Sequence, residues 1–362
     1  MRLVPPSLAL PLKGGEDSTC SSPSPLEGEG WGGGCRVAIV FFWLALFIAA
    51  PVSAADKVKI SFVVAVTEYA DLLLGYDAGY FTDEGLDVEL VQAGGGVATP
   101  ALIASDLNFT GSPGAAISAI LKGAKLKVLF ITNDRAPYLL WAQSDIKTVA
   151  DLKGKAVGVI TRGDTTEIAM RYFLVKQGFP SDYVSFTPLG TGTARLAALA
   201  SGSYPASILG VIETAQLKAS GRGQGLHQLA DFRDSVHMTF SGIATSDAMI
   251  ASHPDIVRRV MRAALKGIAL AKAARGATID SIVKHGADRD SAGVDYDATA
   301  PELTDTGTMP EEDQAFELKL RGELLGVPPK PIADVFDFSF VKKAAAELKA
   351  ENWKPKTGSR SP

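Results

Sequence analysis

The chain has 362 residues, 46% apolar and 21% charged, with a formal net charge of −4. That length without an internal repeat suits two domains of ordinary size, and the apolar share is ample for a large core. So small a net charge gives no electrostatic ground for binding nucleic acid or an anionic membrane.

The N-terminus reads as a leader. Arg36 precedes the apolar run 37–50, after which Pro51, Val52, Ser53 and Ala54 supply a breaker and a small-x-small cleavage site. The pattern predicts a signal peptide cleaved after Ala54, residues 1–54 as leader, and a mature product soluble in the periplasm. The apolar run is short for a membrane span and no basic stop-transfer cluster follows it. The Ser-, Gly- and Pro-rich prefix 1–34 has no core-forming pattern, and translation is expected to begin nearer Arg36. N-terminal sequencing of the precursor checks this, and a start at Met1 refutes it. Both cysteines, Cys20 and Cys35, precede the cleavage point, which leaves the mature product no disulfide, thiol nucleophile or cysteine metal site.

Beyond the leader, 58–64 reads as a strand and 69–76 as a helix. Gly79 and Gly85 sit where a helix stops and a turn reverses the chain. From Leu86 the pattern alternates, with Leu86, Val88 and Leu90 on one face and Asp87 and Glu89 on the other: a half-buried strand. Strand, helix, turn and strand make a βαβ opening, whose natural outcome is a parallel sheet. Gly94, Gly95 and Gly96 read as a loop feeding a short helix at 100–105, with Thr99 as N-cap and Pro100 in the first turn. A strand at 107–110 follows, then a helix opened by Gly111-Ser112-Pro113 and stopped at Gly123, then strands at 126–131 and 138–142. A one-turn helix ends at Gly154 and a buried strand covers 156–160. Asp164, Thr165 or Thr166 caps a helix through Lys176. A strand at 183–186, a helix at 193–201 and a short strand at 207–209 continue the alternation. An apolar strand at 238–244 returns the chain, and Ser252-His253-Pro254-Asp255 reads as a capping box before a long helix to Ala274. Helices at 278–284, 310–325 and 340–348 follow, and the polar tail beyond Trp353 is expected to fray.

Gly79-Tyr80-Phe81-Thr82-Asp83-Glu84-Gly85-Leu86-Asp87-Val88-Glu89 resembles the first βαβ unit of periplasmic substrate-binding proteins of the nitrate/sulfonate/taurine ABC-import family. Ala101-Leu102-Ile103-Ala104-Ser105-Asp106-Leu107-Asn108-Phe109 and Gly123-Ala124-Lys125-Leu126-Lys127-Val128 resemble further strings of that family, with Asn108 where Asp is usual. Ile146-Lys147-Thr148-Val149-Ala150-Asp151-Leu152-Lys153-Gly154-Lys155-Ala156-Val157-Gly158-Val159 is the most specific match, and Tyr204-Pro205 is a departure. The resemblance extends to thiamine-precursor pyrimidine-binding proteins and runs from Val58 to about Asp231, more loosely beyond. It implies an α/β, two-lobed periplasmic binding protein-like fold of type II, each lobe a mixed sheet flanked by helices. Two crossover strands near 138–142 and 240–244 would join lobe 1 (55–140 and 243–362) to lobe 2 (141–242). It also implies a monomer that captures a sulfonate, nitrate, carboxylate or pyrimidine in the interlobe cleft and delivers it to an ABC permease and its ATPase. A periplasmic ligand-sensing subunit is the alternative reading, and an enzyme on the same fold a third.

Helix N-termini that follow strands offer free N–H groups and a positive dipole end, and in open α/β sheets they gather where ligands bind. Thr67, Glu68, Tyr69, Gly95, Gly96, Ser112, Pro113, Asp164 and Thr165 occupy such positions. Plain capping competes with ligand contact at each, and Ser112 and Thr165 are the favoured contacts. Arg162 suits a bidentate clamp on a carboxylate, sulfonate or nitrate, and equally a solvated loop arginine. Asn133 suits a ligand hydrogen bond or an ordinary turn. Glu213 lines the cleft from lobe 2 or merely opens a helix. Glu68 would select a cationic or hydroxylated ligand and counts against a simple anion. Tyr69, Tyr138 and Trp141 suit stacking, with core packing the simpler role for Trp141. His227, His237, His253 and His285 show no metal-ligand spacing, and no G-x-S-x-G, P-loop or G-x-G-x-x-G motif is present. The expectation is therefore no enzyme, no metal and no cofactor.

Overall fold

The alternation at Leu86 is a strand with Leu86 and Val88 buried and Asp87 and Glu89 exposed. Gly79 and Gly85 both take left-handed backbone angles, φ 77° and 73°, which only glycine adopts without strain at these two turns. In the computed structural model, residues 55–355 except 222 are described. The leader, its cleavage site and the end of the polar tail lie outside the described residues.

The first half of the chain runs β1 (Asp56–Phe62), a 3-10 turn at Thr67–Tyr69, α1 (Ala70–Asp77), α2 (Tyr80–Asp83), β2 (Leu86–Gln92), α3 (Gly95–Ile103), β3 (Phe109–Thr110), α4 (Pro113–Leu121) and β4 (Leu126–Arg135). It continues with β5 (Tyr138–Gln143), β6 (Ala156–Val159), α5 (Thr165–Lys176), β7 (Ser185–Pro188), α6 (Gly192–Ala200), β8 (Ala206–Gly210), α7 (Val211–Ala219) and β9 (Leu226–Asp231). Then come β10 (His237–Ser246), α8 (Asp247–Ser252), α9 (Pro254–Ala273), α10 (Arg275–Lys284), α11 (Arg289–Thr299), α12 (Glu311–Leu325), α13 (Ile332–Val335) and α14 (Ser339–Ala350).

Two mixed sheets result, with strand orders β2-β1-β3-β10-β4 and β7-β6-β8-β5-β9. They follow one plan. β1 is parallel to β2 and β3, and β10 runs antiparallel to β3 and β4. Likewise β6 is parallel to β7 and β8, and β5 runs antiparallel to β8 and β9. The chain leaves the first sheet after Arg135, enters the second at Tyr138, and returns between Asp231 and His237. Each sheet has its own apolar core: Ile60, Leu72, Phe109 and Phe130 in the first, Leu140, Tyr172, Ile208 and Phe232 in the second. α12 touches both, placing Leu318 in the first core and Leu320 in the second.

Four local expectations change. α3 starts at Gly95 rather than Pro100, so Pro100 lies inside the helix. The bond that Pro100 cannot make would go to Gly96, in the first turn, where little is lost. Ser252 ends α8 instead of capping α9: its hydroxyl donates to the Ala248 carbonyl at 2.7 Å. The 278–284 helix begins earlier, at Arg275. β9 and α11, for which the pattern supplied no expectation, complete the second sheet's edge and a layer over the 67–69 turn.

Candidate functional site

The C-terminal ends of β1, β2 and β3 feed the 67–69 turn, α3 and α4, and those of β6, β7 and β8 feed α5, α6 and α7. In open α/β sheets ligands bind at this edge, where helix N-termini converge. The side chains there are unusual in one respect: several are buried and polar, yet have no partner.

On the first sheet, the 67–69 turn packs over β4 and β10 and against α11. Thr67 N–H donates to Asp295 Oδ2 at 2.7 Å, while Thr67 Oγ1 has no partner. Glu68 is buried, with Oε2 unpartnered. Burial, reinforced by the nearby Asp295 charge, holds its carboxyl well above the usual range. Tyr69 is buried against Gly111, where a Cβ would meet its Cε1 at 3.0 Å. Ser112 caps α4 with its hydroxyl unused, and Pro113 is buried at the first helical position. Gly95 allows α3 to approach α4, because a Cβ there would meet Ala115 Cβ at 2.6 Å; Gly96 is exposed with open space beside it. Asn133, buried on β4 opposite Ser241 of β10, accepts from Arg135 N at 2.8 Å and leaves Nδ2 free, as Ser241 leaves Oγ.

On the second sheet, the Tyr138 hydroxyl bonds Thr165 Oγ1 at 2.9 Å, and its ring meets Phe240 edge-on at 5.7 Å. Burial lifts the Tyr138 hydroxyl, and its bond with Thr165 offsets this only in part. Asp164 is the N-cap of α5, accepting from Glu167 N at 3.1 Å. Glu213 lies over Gly192 and Gly210, beside Arg195. Arg162 is exposed and donates to the Phe186 carbonyl at 3.3 Å. Trp141 belongs to a small core with Leu139, Leu199, Leu209 and Leu217, its indole N–H on Thr214 Oγ1 at 3.1 Å.

Tyr138 and Thr165 thus meet in a hydrogen bond beside the Asp164 cap, Thr67, Glu68, Tyr69, Ser112 and Asn133 lie buried on the elements of the first sheet, and Arg162 and Gly96 face solvent. Sequence reasoning missed Asp71, Asp295 and Arg195. Arg195 was the most legible of them, a lone charge in a helix of small and apolar residues. It is 3% exposed and donates to the Ile208 and Gly190 carbonyls at 2.8 and 2.7 Å. Of the histidines, His237 pairs with Asp313, His285 with Asp77 and His253 with Ser252, while His227 lies on β9. Among the described residues, no group of three or more His, Cys, Asp or Glu is placed to hold a metal, and no helix is long and apolar enough to cross a membrane.

The family profile described as NMT1/THI5 like matches residues 66–275, more than half of the chain, and contains every site residue above except Asp295. The chain belongs to this family. Its similarity to the riboflavin-binding protein RibY of Chloroflexus aurantiacus is 26% identity over 215 residues, 56% of this chain and 58% of RibY. The match therefore spans little more than half of that curated relative. Among solved structures, the putative periplasmic sulfonate-binding protein SsuA of Methylobacillus flagellatus KT superposes with a TM-score of 0.67 at 16% identity, covering 85% of this chain and 99% of SsuA. The desulfurization enzyme DSZB also superposes, with a TM-score of 0.55 at 15% identity, covering 81% of this chain and 99% of DSZB. At such identity the likeness establishes the fold alone: this NMT1/THI5 like chain has the periplasmic binding protein fold, one that carries both binding proteins and an enzyme.

Proposed function

We propose that the mature chain is the soluble substrate-binding component of an ABC importer, exported to the periplasm behind leader 1–54. Two lobes, one built on each sheet, with their boundaries at 136–137 and 232–236 rather than at 140 and 242, take a small polar organic molecule between them and hand it to a membrane permease and its ATPase. One observation carries this reading. Glu68 Oε2, Thr67 Oγ1, Ser112 Oγ and Asn133 Nδ2 are buried without partners at the edge of the first sheet. Polar atoms in folded interiors are nearly always paired, so orphans gathered at a strand C-terminal edge mark a ligand's place. Thr67, Glu68, Tyr69, Ser112, Pro113, Asn133, Asp164, Thr165 and Glu213, with Arg195, are the proposed lining. Gly95 supports the lining by letting α3 pack on α4, whereas Gly96 and Arg162 stand at its rim.

Native mass spectrometry of the protein purified from its exported fraction tests the proposal. A small molecule released on denaturation, and a thermal stabilisation that saturates with added ligand, are the expected results. No bound mass, together with no shift across sulfonates, nitrate, carboxylates, amines and pyrimidines, would remove the reading. Conversion of the released molecule on standing with the protein would favour an enzyme instead.

A further inference from the structure

Three carboxyl groups are enclosed around the 67–69 turn. Glu68 is 3% exposed, Asp71 1% and Asp295 3%. Burying carboxylates is costly unless a cation or several donors meet them. Elsewhere this chain meets that need: Glu84 pairs with Arg262 and Lys266, Glu317 with Arg321, and Glu167 with Arg171. Glu68, Asp71 and Asp295 have no such partner. The cations of the adjoining elements are engaged by other groups: Arg233 by Asp231, Arg135 by Glu302, Arg275 by Asp297 and Lys284 by Asp77.

A second feature is independent of the acids. Thr67 and Thr299 are both fully buried, and both hydroxyls lack partners. Thr299 lies one turn beyond Asp295 on the same face of α11, and Thr67 is the residue whose N–H holds Asp295. These groups form a buried, acceptor-rich surface whose donor to a carboxylate is Thr67 N–H, on Asp295 Oδ2. An organic cation that donates hydrogen bonds matches such a surface in both charge and donors.

We infer that the cleft recognises its ligand through a positively charged nitrogen head (ammonium, amidinium or guanidinium) seated between Glu68 and Asp295, with the Thr67 and Thr299 hydroxyls as further acceptors. This rests on the cleft being a ligand site, and it replaces a sulfonate or nitrate as the group held at this end. An anion here would face carboxyl and hydroxyl oxygens, with the cations of the adjoining elements already engaged elsewhere.

The test is titration calorimetry and thermal shift of the mature protein with benzamidinium and agmatine, against benzoate and benzenesulfonate. The cations should stabilise the protein saturably and the anions should not. Glu68→Gln should weaken cation binding at least tenfold while the ligand-free variant melts no lower than the parent. Asp295→Asn, which keeps an acceptor for Thr67 N–H, should do the same and serves if Glu68→Gln fails to fold. Benzoate or benzenesulfonate binding as tightly as the cations would overturn the inference and leave the binding-protein reading standing. Unchanged cation affinity in both variants would also overturn it. Absence of any cation binding would overturn it as well, and native mass spectrometry would then decide separately whether the cleft holds a ligand at all.

Discussion

Asp71→Asn should remove a large part of the protein's loss of stability between about pH 4 and pH 7. The Asp71 backbone is pressed against Gly267 of α9, and its side chain is enclosed near Thr132 of β4. Burial pushes its carboxyl from 3.8 up to about 7, offset only in part by Thr132 and neighbouring backbone groups. Because the folded carboxyl holds its proton more tightly than the unfolded one, the folded state binds more protons throughout that window. Stability therefore falls as pH rises from the unfolded value to the folded value, and stays lowered above it. That difference corresponds to about 4 kcal/mol at full ionisation. Asparagine keeps the shape without the ionisation, so the parent–variant difference isolates this group from every other titration. Urea unfolding followed by tryptophan fluorescence at pH 4.5 and pH 8 measures it. The variant should be the more stable protein at pH 8, and the two should converge toward pH 4.5. Parallel pH profiles, or a variant less stable at pH 8, would refute the argument that Asp71 is ionised at the expense of folding.

Other substitutions probe other parts of the fold. Arg195→Met strips the donors from the buried Ile208 and Gly190 carbonyls, and should cost about 2 to 4 kcal/mol in urea unfolding; a loss below about 0.5 would show those carbonyls readily rehydrated. Glu317→Gln leaves Arg321 as an unpaired buried cation and weakens the acceptor for Thr239 N–H, so a loss of about 3 to 5 kcal/mol is expected. Gly267→Ala places a Cβ 2.6 Å from the Asp71 carbonyl oxygen, and the forced separation of α1 from α9 should cost about 1 to 3 kcal/mol. Gly276→Ala, with open space around it in α10, should be neutral or stabilise by up to about 1 kcal/mol in the same assay.

Much of this fold was legible because it is written locally. The Leu86–Val88 alternation, the turns at Gly79 and Gly85, and the Asp164 cap each involve neighbours a few residues apart. β9 was not legible, since Leu226–Asp231 is half-buried along nearly its whole length and shows no inside-outside rhythm. α11 was hidden by a sequence rich in Asp with a Gly near its middle, held in place by packing rather than propensity. The site was half legible for the same reason. Residues at strand ends could be named from order alone, but Asp295 reaches Thr67 across 228 residues, and no local pattern records that meeting. Arg162 and Arg195 show the converse. A loop position after a strand looked suited to a clamp, whereas the enclosed guanidinium belongs to a helix, where its neighbours Ile208 and Gly190 are remote or unremarkable in sequence.

The passage between the sheets is short and packed with buried side chains. Only Ala136 and Pro137 separate β4 from β5, and the return stretch contains Phe232 and Val236, fully enclosed in the second core with Ala136. The two stretches are laced together by Ala136 N–H to the Val236 carbonyl at 3.2 Å and by Arg135 Nη1 to the Arg233 carbonyl at 2.9 Å. Proline fixes one torsion of the shorter stretch. Any change in the angle between the sheets must therefore flex this two-ply ribbon and also accommodate α12, which places Leu318 in the first core and Leu320 in the second. Val236 joins both ties in one residue, its carbonyl bonded to Ala136 and its side chain enclosed in the second core.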